Sequence, residues 1–118
     1  AGARLAFGSD APVEAIDPIQ GFHAAVTRQD NTGHPKDGWH PNERISRASA
    51  LHAYTQGAAY AAFQEKETGS ITPGKRADFV VLSQDILSIS ADRLLDTECT
   101  ATYLEGTAIH AAADWPDP

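Results

Sequence analysis

The sequence holds a single cysteine, Cys99, and no methionine in its 118 residues. One thiol can form no internal disulfide and cannot build a thiolate metal cage. Basic residues are also scarce, 9 Lys+Arg against 16 Asp+Glu, which leaves a net charge of −7. Binding to nucleic-acid phosphates needs a basic patch, and none is present. No apolar run approaches the roughly 20 residues of a membrane span. The opening AGARLAFGSD lacks both the apolar centre and the cleavage pattern of a signal peptide. These features predict no nucleic-acid partner, no membrane association and a cytoplasmic setting. Five histidines occur, at positions 23, 34, 40, 52 and 110, without His-x-His or His-Glu-x-x-His spacing. The three protein ligands of a catalytic zinc therefore cannot be read from this chain. A Gly-rich phosphate loop, a nucleophile elbow and a reactive-cysteine setting are missing too.

What is present is an ordinary folding composition, 42% hydrophobic and 21% charged, with room for one small core. RLAFGS (residues 4–9) reads as a short buried strand running into the loop that starts at Asp10. Asp17 followed by Pro18 is an N-cap with proline at the first helical position, and Ile19, Phe22 and Val26 recur at helical spacing. This predicts a helix over 17–29. Residues 30–42, DNTGHPKDGWHPN, carry turn formers and no hydrophobic period, so they predict a long loop, a functional excursion or a mobile one. Its Trp39 is costly to leave in water.

Ser46 can cap a second helix whose apolar stripe runs through Ala48, Leu51, Thr55, Ala58, Ala59, Ala62 and Phe63, with Gly57 expected to weaken or break it midway. After Gly69 the period becomes extended. Pro73-Gly74 marks a turn, and residues 77–82 form a nearly continuous apolar strand. Residues 90–96 suggest a short helical turn. CTATYL and TAIHA, joined by Glu105-Gly106, predict a hairpin, and the final ADWPDP should fray. The change of pattern near residues 64–70 divides the chain into a helical part, 1–66, and an extended part, 67–118.

The chemical candidate is Asp10, an acid placed directly after an apolar strand and before a loop. In a (β/α)₈ barrel, catalytic side chains sit at that end of the strands. A turn-forming aspartate looks the same in sequence, since its carboxylate bonds the backbone two residues on. His34 and His40, in the long loop, are weaker candidates.

GSDAPV (residues 8–13), DPIQGFHAAVTRQ (17–29), ALHAYTQGAAYA (50–61) and GSITPGKRADFVVL (69–82) occur in this order and resemble the C-terminal end of metal-dependent amidohydrolases. The chain is similar in particular to amidohydrolase family 3, the group that includes N-substituted formamide deformylases. The resemblance runs from Leu5 to about Ala111. It implies an α+β fragment: the last strand and outer helices of a (β/α)₈ amidohydrolase barrel, followed by C-terminal strands of a small β-sandwich. It implies zinc or another divalent metal in the full-length enzyme, a small-molecule amide substrate, and Asp10 as both metal ligand and catalytic acid–base group. A carboxylate beside a metal-activated water can take its proton and later protonate the departing amine. Lys75, Arg76 and Asp78 fall in framework positions and are expected to be structural.

A whole barrel takes about 250 residues, so the chain is expected to be the C-terminal portion of a larger hydrolase, inactive and without bound metal by itself. Two other readings stay open. The unpaired strand edges would suit an assembly or binding module that forms a homo-oligomer. A deaminase or an N-acyl amino acid hydrolase of the same superfamily would share the Gly-Ser-Asp and Pro-Gly-Lys-x-Ala-Asp elements.

Overall fold

The computed structural model of the chain describes residues 2–113 and residue 115. Asp17 caps the first helix, α1 (Pro18–Thr27), by accepting a hydrogen bond from the Ile19 N–H at 2.9 Å. Pro18 loses nothing at this position, because the N–H it lacks would have had no partner inside the helix. The helix stops at Arg28, which turns to a φ of 61° and donates its N–H to the Ala24 carbonyl. Ile19, Phe22, His23 and Thr27 form the buried face.

The loop after α1 folds back on the end of that helix. Trp39 N–H donates to the Arg28 carbonyl at 2.7 Å, Arg44 Nε to the Thr27 carbonyl at 3.0 Å and Gln29 Nε2 to the Lys36 carbonyl at 2.7 Å. A short 3₁₀ turn, Pro41–Glu43, closes it. Trp39 differs from expectation. It stays 62% exposed, with the Arg28 guanidinium 5.0 Å from its ring centre and the His40 ring edge-on at 4.3 Å.

Ser46 caps the second helical stretch through the Ser49 N–H at 3.1 Å. That stretch comprises α2 (Arg47–His52), a π-helical turn (Ala53–Gly57) and α3 (Ala58–Ala61). Its buried line is Ala50, Ala53, Gly57 and Ala59, whereas Phe63 is 92% exposed, so the stripe is rotated from the predicted one. Gly57 does not break the helix. It is buried where another segment approaches.

The extended part forms a three-stranded antiparallel sheet in the order β1 (Phe79–Leu82), β2 (Cys99–Leu104), β3 (Thr107–Ala111). Glu105 and Gly106, at φ 50° and 79°, join β2 to β3. Two positive φ values in a two-residue loop match the twist of the flanking strands. Phe79 pairs with Tyr103 across the sheet, and their rings stack at 4.6 Å. The expected helical turn is a 3₁₀ segment, Ala91–Asp96. The fraying predicted for ADWPDP falls largely outside the described residues; within them, Trp115 Nε1 donates to the Tyr103 hydroxyl at 3.2 Å.

One core binds the two parts. Ile19, Phe22 and Ala50 from the helices pack with Ile86 and Leu94 from the segments between strands. Arg47 reinforces the junction by donating to the Ile86 carbonyl at 2.8 Å.

The predicted strand over residues 4–9 does not form. A strand exists only through a ladder to a neighbour. The one backbone hydrogen bond from this segment among the described residues instead runs to a helix, from Phe7 N–H to the Ala53 carbonyl at 3.0 Å.

Candidate functional site

Asp10 sits exposed at the end of that segment, at a φ of 52°. Aspartate is among the few residues that visit this left-handed region routinely. A turn follows, closed by Val13 N–H donating to the Asp10 carbonyl at 2.9 Å. Among the described residues no side-chain or backbone donor reaches the Asp10 carboxylate. The side-chain turn weighed for Asp10 is therefore not seen: the backbone carbonyl closes the turn, and the carboxylate has no donor among the described residues.

What fixes Asp10 in space is the segment before it. Besides the Phe7–Ala53 hydrogen bond, the Phe7 ring meets Tyr54 edge to face at 5.3 Å, and the Arg4 guanidinium lies 4.2 Å from the Tyr60 ring centre. Gly57 completes the seat, because a Cβ there would collide with the Leu5 carbonyl oxygen. All these contacts come from the helical stretch around the π turn. Sequence reasoning missed them, although a glycine inside a helical pattern was their visible trace.

Beside Asp10 lies a cleft of about 410 Å³ between this segment and α1, lined by Ser9, Glu14, Asp17, Asp30 and Tyr54 among others. Two of its acids each have one oxygen committed. Asp17 caps α1, and Asp30 accepts from the His34 N–H at 3.0 Å, the Thr32 hydroxyl at 2.7 Å and the Thr32 N–H at 2.8 Å. Those bonds hold the Asp30 carboxyl below the usual carboxylate range, the one from the His34 N–H contributing most.

The histidines do not assemble. His34 belongs to the Asp30 turn, where its Nδ1 lies 3.1 Å from the Thr32 hydroxyl. His40 meets Trp39 edge-on, His52 is exposed, and His110 Nε2 lies 3.3 Å from the Cys99 carbonyl oxygen. His23 is buried at 4% exposure with Nδ1 unpartnered, and burial pushes its imidazole below the ordinary 6.5, against a smaller opposing pull from Asp30. Among the described residues no three His, Cys, Asp or Glu side chains come together as a metal site would require. No helix among them is long and apolar enough to cross a membrane.

The framework residues have structural partners. Lys75 Nζ donates to the Glu65 and Thr68 carbonyls at 2.6 and 3.0 Å, and Asp78 accepts from the Glu105 N–H at 2.8 Å while pairing with Arg76 at 3.4 Å.

Residues 1–110 match the amidohydrolase family over nearly the whole chain. The chain belongs to the amidohydrolase family. It is 34% identical over 109 residues to the putative amidohydrolase YtcJ of Bacillus subtilis (strain 168), covering 92% of this chain and 21% of that protein. It is 42% identical over 111 residues to Protein LONG AFTER FAR-RED 3 of Arabidopsis thaliana, covering 92% of this chain and 18% of that one. Against the N-substituted formamide deformylase of Arthrobacter pascens it is 33% identical over 106 residues, 90% of this chain and 19% of the relative. No solved structure matches. The chain thus spans about a fifth of the length of these curated relatives, and the amidohydrolase resemblance read from GSDAPV and GSITPGKRADFVVL is borne out.

Proposed function

We propose that this chain is the C-terminal portion of a metal-dependent amidohydrolase that cleaves carbon–nitrogen bonds other than peptide bonds, with Asp10 as its acid–base carboxylate. Residues 1–66 are the closing segment and outer helices of the barrel in this reading, and 67–118 belong to a small β-sandwich. The observation that carries the proposal is Asp10 itself: an exposed carboxylate without a hydrogen-bond donor, held by its backbone at the end of a segment seated on a helix. Such a group can take a proton from an attacking water and return it to a leaving amine. The name of the Arthrobacter relative supports a formamide-type substrate. A cytoplasmic setting, consistent with one unpaired cysteine, is part of the same proposal.

The donor set of this chain does not fit a metal centre by itself. A catalytic zinc takes three protein ligands, and among the described residues no three His, Cys, Asp or Glu side chains come together, around Asp10 or elsewhere. The metal of the proposed enzyme therefore depends on ligands outside this set, and the isolated chain is inactive in this reading. Calorimetric titration with zinc tests it. Binding weaker than micromolar is expected, unchanged in Asp10→Asn; submicromolar binding lost in that variant would show a complete site and overturn the reading. In a hydrolase carrying this segment, Asp10→Asn should slow N-substituted formamide hydrolysis by about 10²-fold or more.

The open edges of the sheet favour an additional reading, self-association of the isolated chain. Val80 on β1 is 55% exposed and Ile109 on β3 is 62% exposed, and unpaired edges template further strands. Light scattering should show a dimer at high concentration, and a strict monomer would count against it.

A further inference from the structure

We propose that the π turn at Ala53–Gly57, with Tyr54 and Gly57, is the positioning element for Asp10; this rests on the reading of Asp10 as the acid–base group. Nothing among the described residues grips the Asp10 carboxylate, so its placement is inherited from the backbone. That backbone is tied down at three successive points on one helix. Tyr60 lies against Arg4, Gly57 leaves room for the Leu5 carbonyl, and Ala53 and Tyr54 hold Phe7, three residues before Asp10.

The π turn is what makes the seat. An ordinary helix commits each interior carbonyl to the N–H four residues on, whereas a π turn opens that ladder, and such turns concentrate at functional sites. Here the Ala53 carbonyl accepts from Phe7 N–H, outside the helix. Gly57, at the end of the same turn, provides the space the incoming chain needs. A Cβ at 57 would also stand 3.2 Å from the His52 carbonyl oxygen and 3.3 Å from the Leu5 carbonyl carbon. These neighbours are backbone and cannot rotate away, so the segment itself would have to move. Displacing a proton-transfer group by about 1 Å costs up to about 10²-fold in rate.

The test has two arms. In the 118-residue chain, amide hydrogen exchange is followed by NMR. Tyr54→Leu and Gly57→Ala should each speed exchange at Phe7 at least tenfold while β2 amides stay within twofold. Tyr54→Phe keeps the aromatic edge and should keep the protection. Unchanged Phe7 exchange in both disruptive variants would overturn the proposal. In a hydrolase carrying the segment, with an N-substituted formamide as probe, Tyr54→Leu should lower kcat at least tenfold with KM within twofold, and should move the acidic limb of the pH–rate profile. If Asp10→Asn abolishes turnover while Tyr54→Leu changes neither kcat nor that limb, the positioning role alone fails. If Asp10→Asn leaves turnover intact, the acid–base reading fails.

Discussion

Truncating Leu94 is the sharpest test of how the two parts of the chain are joined. Its side chain is fully buried, 0% exposed, in the 3₁₀ segment that packs on α1, and it shares the core with Ile19, Phe22, Ala50 and Ile86. Leu94→Ala removes the buried atoms and leaves a hole that a rigid helix and a short turn can only partly close. Comparable substitutions cost about 2.7–5.0 kcal/mol. A domain of this size carries on the order of 6 kcal/mol at the lower end of typical stabilities, so roughly half of the total or more is at stake. Urea unfolding followed by circular dichroism should give a midpoint lowered in proportion, with an unchanged slope. Leu104→Ala, at a site already 51% exposed, is the control and should cost no more than about 0.5 kcal/mol. A Leu94→Ala loss below about 1 kcal/mol would mean that the helices and the strand part do not share a core, and would refute the reasoning.

Asp78→Ala removes the acceptor of the Glu105 N–H and the partner of Arg76, so it should cost about 1–2 kcal/mol in urea unfolding and speed amide exchange at Glu105. Ser46→Ala deletes the N-cap of α2 and should cost about 1 kcal/mol, most of it recovered in Ser46→Asp. His23 gives a pH dependence with a definite sign. Burial holds its folded value below the ordinary 6.5, so the unfolded chain binds the proton first as pH falls. Its contribution is complete above pH 6.5 and is lost as pH drops from there through the folded value. His23→Leu should flatten the stability profile just below pH 6.5 relative to the wild type, and an identical slope would contradict the assignment.

Local chemistry made most of the elements legible. Asp17-Pro18 opens α1, Ser46 opens α2, and Glu105-Gly106 closes the hairpin, because each depends on atoms within a few residues. The segment over residues 4–9 was not legible in the same way. Its apolar run is strand-like, but strand formation is decided by a partner ladder, and its contacts come from residues about fifty positions away. Phe63 failed for a related reason. Helical spacing placed it on the stripe, yet the helical stretch ends at Ala61 and Phe63 turns to a φ of 59°, which carries it off that face. Of the candidate site, the sequence pointed to Asp10 by its place after an apolar run, while its seat on the π turn lay hidden in a glycine that propensity alone marks as a defect.

The acids in and beside the cleft divide by whether a donor uses their carboxylates, and Asp10 and Glu14 are the two that none among the described residues reaches. Proton transfer needs a carboxylate whose lone pairs are not already consumed. Asp30 gives one oxygen, Oδ1, to three donors from its own turn, and these hold its carboxyl below the usual carboxylate range. Asp17 has given one oxygen to the end of α1. Asp10 takes the opposite arrangement. Its backbone carbonyl closes the turn with Val13, its position is fixed through Phe7, and no donor among the described residues consumes its carboxylate. A carboxylate that no donor uses, at the end of a segment seated on a helix, is the arrangement that the proposed acid–base role requires.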